Sequence, residues 1–177
     1  ENPGHALIKN VEVEIGGQKI DKHYGDWLNI WSELTVTSDQ RKGFEYMIGN
    51  DWSRGPSNDN EAQTDGFGAG AAISAKTLYV PLQFWFNRNP GLALPLIAMQ
   101  YHEVKLIFTF ASADQCLVNS GSSVGDISPE LWVDYVYLDT DERRRFAQVQ
   151  HNMLVDQLQY NGGSSQGTMN LSFNHPC

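Results

Sequence analysis

The stretch Leu78–Phe110, LYVPLQFWFNRNPGLALPLIAMQYHEVKLIFTF, constrains this chain more than any other. Two strongly apolar segments, Leu78–Phe86 and Val104–Phe110, flank a hinge that holds Pro90, Gly91 and Pro95. No long helix absorbs that hinge, because proline lacks an amide proton and its ring clashes with the preceding turn. The pattern predicts a strand, a compact crossover and a second strand. Val80, Leu82 and Phe84 fall on one face at period two, while Leu78, Leu92, Leu94, Leu96 and Ile97 supply a second apolar layer, which puts the segment at the centre of a core.

Towards the N-terminus, Leu7, Lys9, Val11, Val13 and Ile15 alternate with Ile8, Asn10, Glu12 and Glu14, the signature of a half-buried strand. Gly16-Gly17 predicts a tight turn, and Gln18–Tyr24 reads as the returning strand, with Ile20 apolar and Lys19, Asp21 and Lys22 polar. The period then changes. Trp27, Ile30, Trp31 and Leu34 sit at i, i+3, i+4 and i+7, which predicts a helix whose two indoles are buried as a lid over the sheet. A second short helix is expected up to Ile48, capped by Ser38 or Asp39, with Phe44, Met47 and Ile48 inward.

Asn50–Ser74 is rich in Gly, Asn, Ser and Asp without a period, so it reads as a surface loop, as does Ser112–Gly125. Ile127–Leu138 alternates Leu131, Val133, Tyr135 and Tyr137 with Trp132, Asp134, Val136 and Leu138, predicting a strand with one mixed face. Asp141–Gly163 reads as a linker that begins with a helical turn and becomes extended. After the break at Asn161–Ser165, Met169, Leu171 and Phe173 begin a new strand. The opening Glu1–Gly4 does not read as a natural start, so the chain is expected to be a fragment.

A formal net charge of −9 argues against a nucleic-acid-binding surface, since phosphate contacts need clustered Lys and Arg. The one basic cluster, Arg143–Arg145, follows directly on Asp139, Asp141 and Glu142 and is locally offset. Cys116 and Cys177 make no disulfide framework, and a reducing compartment is expected. No apolar run approaches the ~18 residues of a spanning helix, so no membrane insertion is expected. His5, His23, His102, His151 and His175 are scattered, with no HxH or HExxH pair to place two imidazoles on one metal. His102-Glu103 is the nearest approach to an acid–base pair, but strand neighbours point to opposite faces, which favours a structural histidine. There is no GxSxG, phosphate loop or Cys nucleophile beside a His. The sequence therefore predicts no enzyme, and no catalytic, cofactor-binding or metal residues. Asn170-Leu171-Ser172 matches a glycosylation sequon of the kind chance often produces.

Short strands, turn punctuation and brief helices argue for an antiparallel sandwich, which by itself leaves function open. Longer motifs go further. GHALIKNVEVEIGGQKIDKHYGDWLNIWSELT (Gly4–Thr35), LYVPLQFWFNRNPGLALPLIAMQYHEVK (Leu78–Lys105), DTDERRRFAQVQH (Asp139–His151) and LSFNHPC (Leu171–Cys177) closely resemble the major capsid proteins of nucleocytoplasmic large DNA viruses, phycodnavirus-, iridovirus- and mimivirus-like. The resemblance implies an all-β fold: an antiparallel jelly-roll β-sandwich with short helices in the connections, the first half of a double jelly-roll subunit. It implies that residues 1–138 are the first jelly roll, incomplete at its N-terminus, that 139–163 are the interdomain linker, and that 164–177 start a second, truncated jelly roll. The implied function is structural, in trimeric pseudo-hexagonal capsomers of an icosahedral virion shell assembled in the host cytoplasm. The implied partners are further copies of itself and neighbouring or minor capsid proteins, without direct nucleic-acid contact. The alternative from another class is a carbohydrate-binding or carbohydrate-cleaving jelly roll, motivated by the Trp and Tyr content, but no carboxylate pair suited to glycoside cleavage stands out. A receptor-binding spike would need exposed aromatics in Asn50–Ser74, where only Trp52 and Phe67 occur.

Overall fold

The structure is a computed structural model that describes residues 2–50, 76–116, 126–162 and 168–175. The predicted loop 50–74 lies outside the described residues except for Asn50, as does most of 112–125. After the short helix α1 (Pro3–Leu7), strands β1 (Ile8–Ile15) and β2 (Gln18–Tyr24) form the expected hairpin. Ile15 pairs with Gln18 across a two-residue loop, and Gly16 and Gly17 have φ of 58° and 80°. Positive φ at both loop positions matches the right-handed twist of the flanking strands, and glycine adopts it without a Cβ penalty.

β3 (Val104–Phe110) adds antiparallel to the other side of β1, giving the strand order β2-β1-β3 among the described residues. β1 is thus central, and Val11 and Val13 are fully buried. The expected parity of β1 holds for those two and fails at its start, where Ile8 is buried and Lys9 exposed. The cause is an irregularity: Ile8 pairs with Phe110 and Asn10 with Thr109, so Lys9 is an extra residue that reverses which side chains face inward.

Helices α2 (Gly25–Thr35) and α3 (Ser38–Ile48) occupy the predicted ranges. Their inward faces differ from expectation. On α2 the buried positions are Leu28 and Ser32, Trp27 and Trp31 are half-buried, and Ile30 and Leu34 are exposed. The helix is turned by about one residue, or 100°, relative to the apolar stripe. On α3, Ile48 is buried, Phe44 half-buried and Met47 exposed; the N-cap is Thr37, and neither Ser38 nor Asp39 bonds a backbone amide as a cap. Gly49 closes α3 in the left-handed conformation, φ 87°.

The predicted strand Leu78–Phe86 is corrected. Residues 76–83 form neither helix nor ladder among the described residues, and the chain then turns into α4 (Trp85–Arg88) and a 3-10 turn at Pro90–Leu92. Pro81 cannot donate to a ladder. Phe84 and Trp85 are both buried, which a half-buried strand cannot achieve because adjacent residues point to opposite faces. The segment's central place in the core holds: Phe84 and Trp85 pack with Ile8, Val11, Val13 and Leu28, and Val80, Leu82 and Leu94 pack around them.

Beyond a helical turn, α5 (Ala113–Cys116), residues 126–138 show no ladder among the described residues. Trp132 is 81% exposed and Tyr137 92%. Period two prepares this segment for pairing, but among the described residues no strand pairs with it. α6 (Thr140–Gln148) then forms at the expected start of the linker, with the Asp139 carboxylate accepting from the Glu142 amide at 2.9 Å, and residues 149–162 follow without helix or ladder.

Candidate functional site

Buried polar chemistry concentrates where β2, α2 and α4 meet. Pairing of Val13 with Asp21 and Glu14 with Lys19 leaves Ile20 as an extra residue in β2. The resulting bulge puts Asp21 and His23 together on the inner face, where simple alternation from Ile20 would have turned them outward. His23 Nε2 lies 2.9 Å from Asp21 Oδ2, with the side chains 2% and 1% exposed. The imidazole stacks on Phe84, ring centres 4.2 Å apart, and meets Trp27 edge-on at 6.2 Å. Asp21 Oδ1 accepts from the amides of Lys22 at 2.8 Å and Leu158 at 3.0 Å.

An aspartate beside a histidine is the orienting half of an acyl-transfer triad, but a general base must reach the proton that it takes. Here Phe84 and Trp27 cover the ring. The pair is therefore part of the core rather than a catalytic site, with His23 Nδ1 left without a hydrogen-bond partner among the described residues, and all that the sequence offers of it is the i, i+2 spacing of two polar residues. Of the other histidines, His102 packs on the hairpin tip, where a Cβ at Gly16 would meet its ring at 2.6 Å, while the Glu103 carboxylate pairs with Lys105 at 3.2 Å. His102 and Glu103 thus share no site. Among the described residues no group of three or more His, Cys, Asp or Glu is placed to hold a metal ion.

Arg88 joins separate parts of this region. Its guanidinium lies 4.1 Å over the Trp31 ring, Nε donates to the Gln83 carbonyl at 3.1 Å, and Nη1 meets Asp156 at 3.1 Å. Beside it, Trp85 Nε1 donates to the Met153 thioether at 3.1 Å. The basic cluster on α6 is exposed, with Arg144 paired to Asp141 at 3.6 Å, so its charge is offset within the helix. A recess of about 300 Å³ beside it is lined by Glu142, Arg145, Phe146, Val149 and His151. Among the described residues no helix is long and apolar enough to cross a membrane.

Two titrating groups give the fold a pH dependence. Burial pushes the His5 imidazole below its ordinary value, and a side-chain hydrogen bond with Asn29 opposes the shift. The unfolded chain therefore takes up that proton first, and stability should fall as pH drops below about 6.5. On the hairpin surface, Lys19 and Lys22 lie 2.6 and 2.7 Å from the Glu12 carboxylate and hold its pKa down. This contribution is complete above the unfolded value of about 4.3 and is lost as pH falls through the lower folded value. Urea midpoints measured from pH 8 to 3 should show both declines, with His5→Gln removing the first and Glu12→Gln the second. A profile unchanged by either substitution would contradict the assignment.

Comparison with known proteins places this architecture. A family model described as the major capsid protein N-terminus matches residues 1–139. The chain is 53% identical over 174 residues to the major capsid protein of Pyramimonas orientalis virus, covering 98% of this chain and 41% of that protein. It is 45% identical over 208 residues to the major capsid protein of Chrysochromulina ericina virus, covering 99% of this chain and 36% of that protein. Among solved structures, the PBCV-1 virus capsid superposes with a TM-score of 0.68 at 46% identity, over 89% of this chain and 35% of that one. The chain spans less than half the length of these relatives. These relatives are structural proteins rather than enzymes. With the match running from the first residue to the N-cap of α6, the chain belongs to the viral major capsid protein family, matched at that family's N-terminal region.

Proposed function

We propose that this chain is a shell-building part of a virion capsid, contributing most of one jelly-roll sandwich to a subunit with two. In this reading residues 1–138 form the first jelly roll, 139–163 the connection and 164–177 the start of the second. Three subunits then make a pseudo-hexagonal capsomer that contacts further copies and minor capsid proteins, with assembly in the host cytoplasm. The observation that carries the reading, beside family membership, is the exposed apolar face of the strand-patterned segments. Leu131, Val133, Tyr135 and Leu171 are each more than half exposed, which suits burial by further β-structure or by neighbouring copies. Stable interfaces bury about 1,200–2,000 Å² in total, and a single sandwich supplies only part of a closed ring of such contacts. Light scattering tests this: the 177-residue chain should be monomeric or aggregate, while a chain of the relatives' full length should form trimers. A discrete trimer from residues 1–177 alone would show that the first sandwich carries the assembly contacts and would overturn the proposed division.

A further inference from the structure

We propose that residues 153–160 form a clamp that closes the β2 edge of the sheet against strand addition by a second copy, with Asp21 as its positioning residue. Among the described residues β2 is an outer strand, and an outer strand presents unpaired backbone groups that template association with another chain. The clamp runs parallel to β2 through three successive stations. Gln157 Nε2 donates to the Ile20 carbonyl at 2.5 Å, the Leu158 amide donates to Asp21 Oδ1 at 3.0 Å, and the Tyr160 ring lies 4.6 Å from that of Tyr24.

The chemistry of each station follows from the bulge. Ile20 is the residue that the β1–β2 register skips, and Gln157 supplies its carbonyl with a donor. The same irregularity turns the Asp21 carboxylate inward, where it captures the clamp's backbone. Upstream, the Met153 thioether and the Asp156 carboxylate are fixed by Trp85 and Arg88 on α4, so the clamp is held at both the helix and the strand. Its bonds to β2 run between a side chain on one segment and backbone on the other. No ladder forms, and the clamp covers the edge without extending the sheet.

Amide exchange and light scattering on the 177-residue chain test this. The Leu158 amide should exchange at least about tenfold more slowly than an unstructured amide, a measure of local closure. Asp21→Ala should abolish that protection, while Asp21→Asn, which keeps the acceptor oxygen, should retain it; a generic loss of packing would not be rescued in this way. If Asp21→Ala fails to fold, the Arg88→Ala/Gln157→Ala double variant removes two exposed anchors and leaves the core intact. It should release Asp156–Leu158 and shift the scattering mass upward as the β2 edge opens. Unprotected Leu158 in the parent chain, or protection unchanged in both Asp21→Ala and the double variant, overturns the clamp. Release without any rise in mass overturns its edge-closing role.

Discussion

Replacing Phe84 with alanine should lower the unfolding free energy by about 3–5 kcal/mol, the range for deleting a buried aromatic ring. Phe84 is fully buried, stacks on His23 at 4.2 Å and on Phe86 at 5.6 Å, and belongs to the cluster around β1. Its loss would remove apolar burial and also uncover the Asp21–His23 pair, admitting water to two side chains that are sealed in the folded chain. The space cannot collapse easily, because the backbone on one side is the central strand and on the other the turn into α4. Urea unfolding of the variant should show a lower midpoint with an unchanged slope, and Phe84→Leu should recover more than half of the loss. A change below about 1 kcal/mol would contradict the burial assigned to this ring.

Gly25→Ala is expected to be almost as damaging, for a steric reason. A Cβ at Gly25 would sit 2.5 Å from the Ile8 carbonyl oxygen and closer still to that of His5. Both obstacles are backbone, at the junction of α1 and β1, so neither can rotate aside. Either α2 must lift or the start of β1 must move, and overpacking of this kind typically costs about 1–3 kcal/mol or more. Gly43→Ala is the control, since nothing lies within 4 Å of its added methyl group. It sits inside α3, where alanine is the better helix former by about 1 kcal/mol, so stability should rise. Thermal unfolding of the pair should therefore move in opposite directions. Equal shifts of the same sign would show that α1 and α2 do not approach as closely as described.

These two sites show what can and cannot be read from residue order. The hairpin is legible because a Gly-Gly pair between alternating segments leaves few other solutions, and α2 and α3 are legible from their change of period. What escapes is decided by single extra residues. Lys9 and Ile20 each displace the pleat by one position, and no local property of either residue announces it. The consequence at Ile20 is the main miss, since Asp21 and His23 count as outward polar residues until the bulge turns them in. The outward shift of Trp31 has a different origin: Arg88 offers a cationic partner to an indole that need not then be fully buried, and its position depends on a turn more than fifty residues away. Segment 76–83 shares strand composition with β3 yet joins no ladder among the described residues, where Pro81 and the adjacent burial of Phe84 and Trp85 override propensity.

The placement of β1 between a near neighbour and a distant one sets an order of events for folding. β1 meets β2 across two glycines, a closure on the microsecond scale, whereas Ile15 meets Val104 only after roughly 90 intervening residues are drawn together. In a flexible-chain estimate the second closure costs about 3 kcal/mol more than the first. The hairpin should form early and wait, with β1 exposing an unpaired side until β3 arrives. During that interval the molecule is vulnerable to capture by another chain. The same logarithm makes the intervening length inexpensive: doubling it would cost only about 0.6 kcal/mol, so insertions between β2 and β3 should slow the arrival of β3 far more than they weaken the finished sheet.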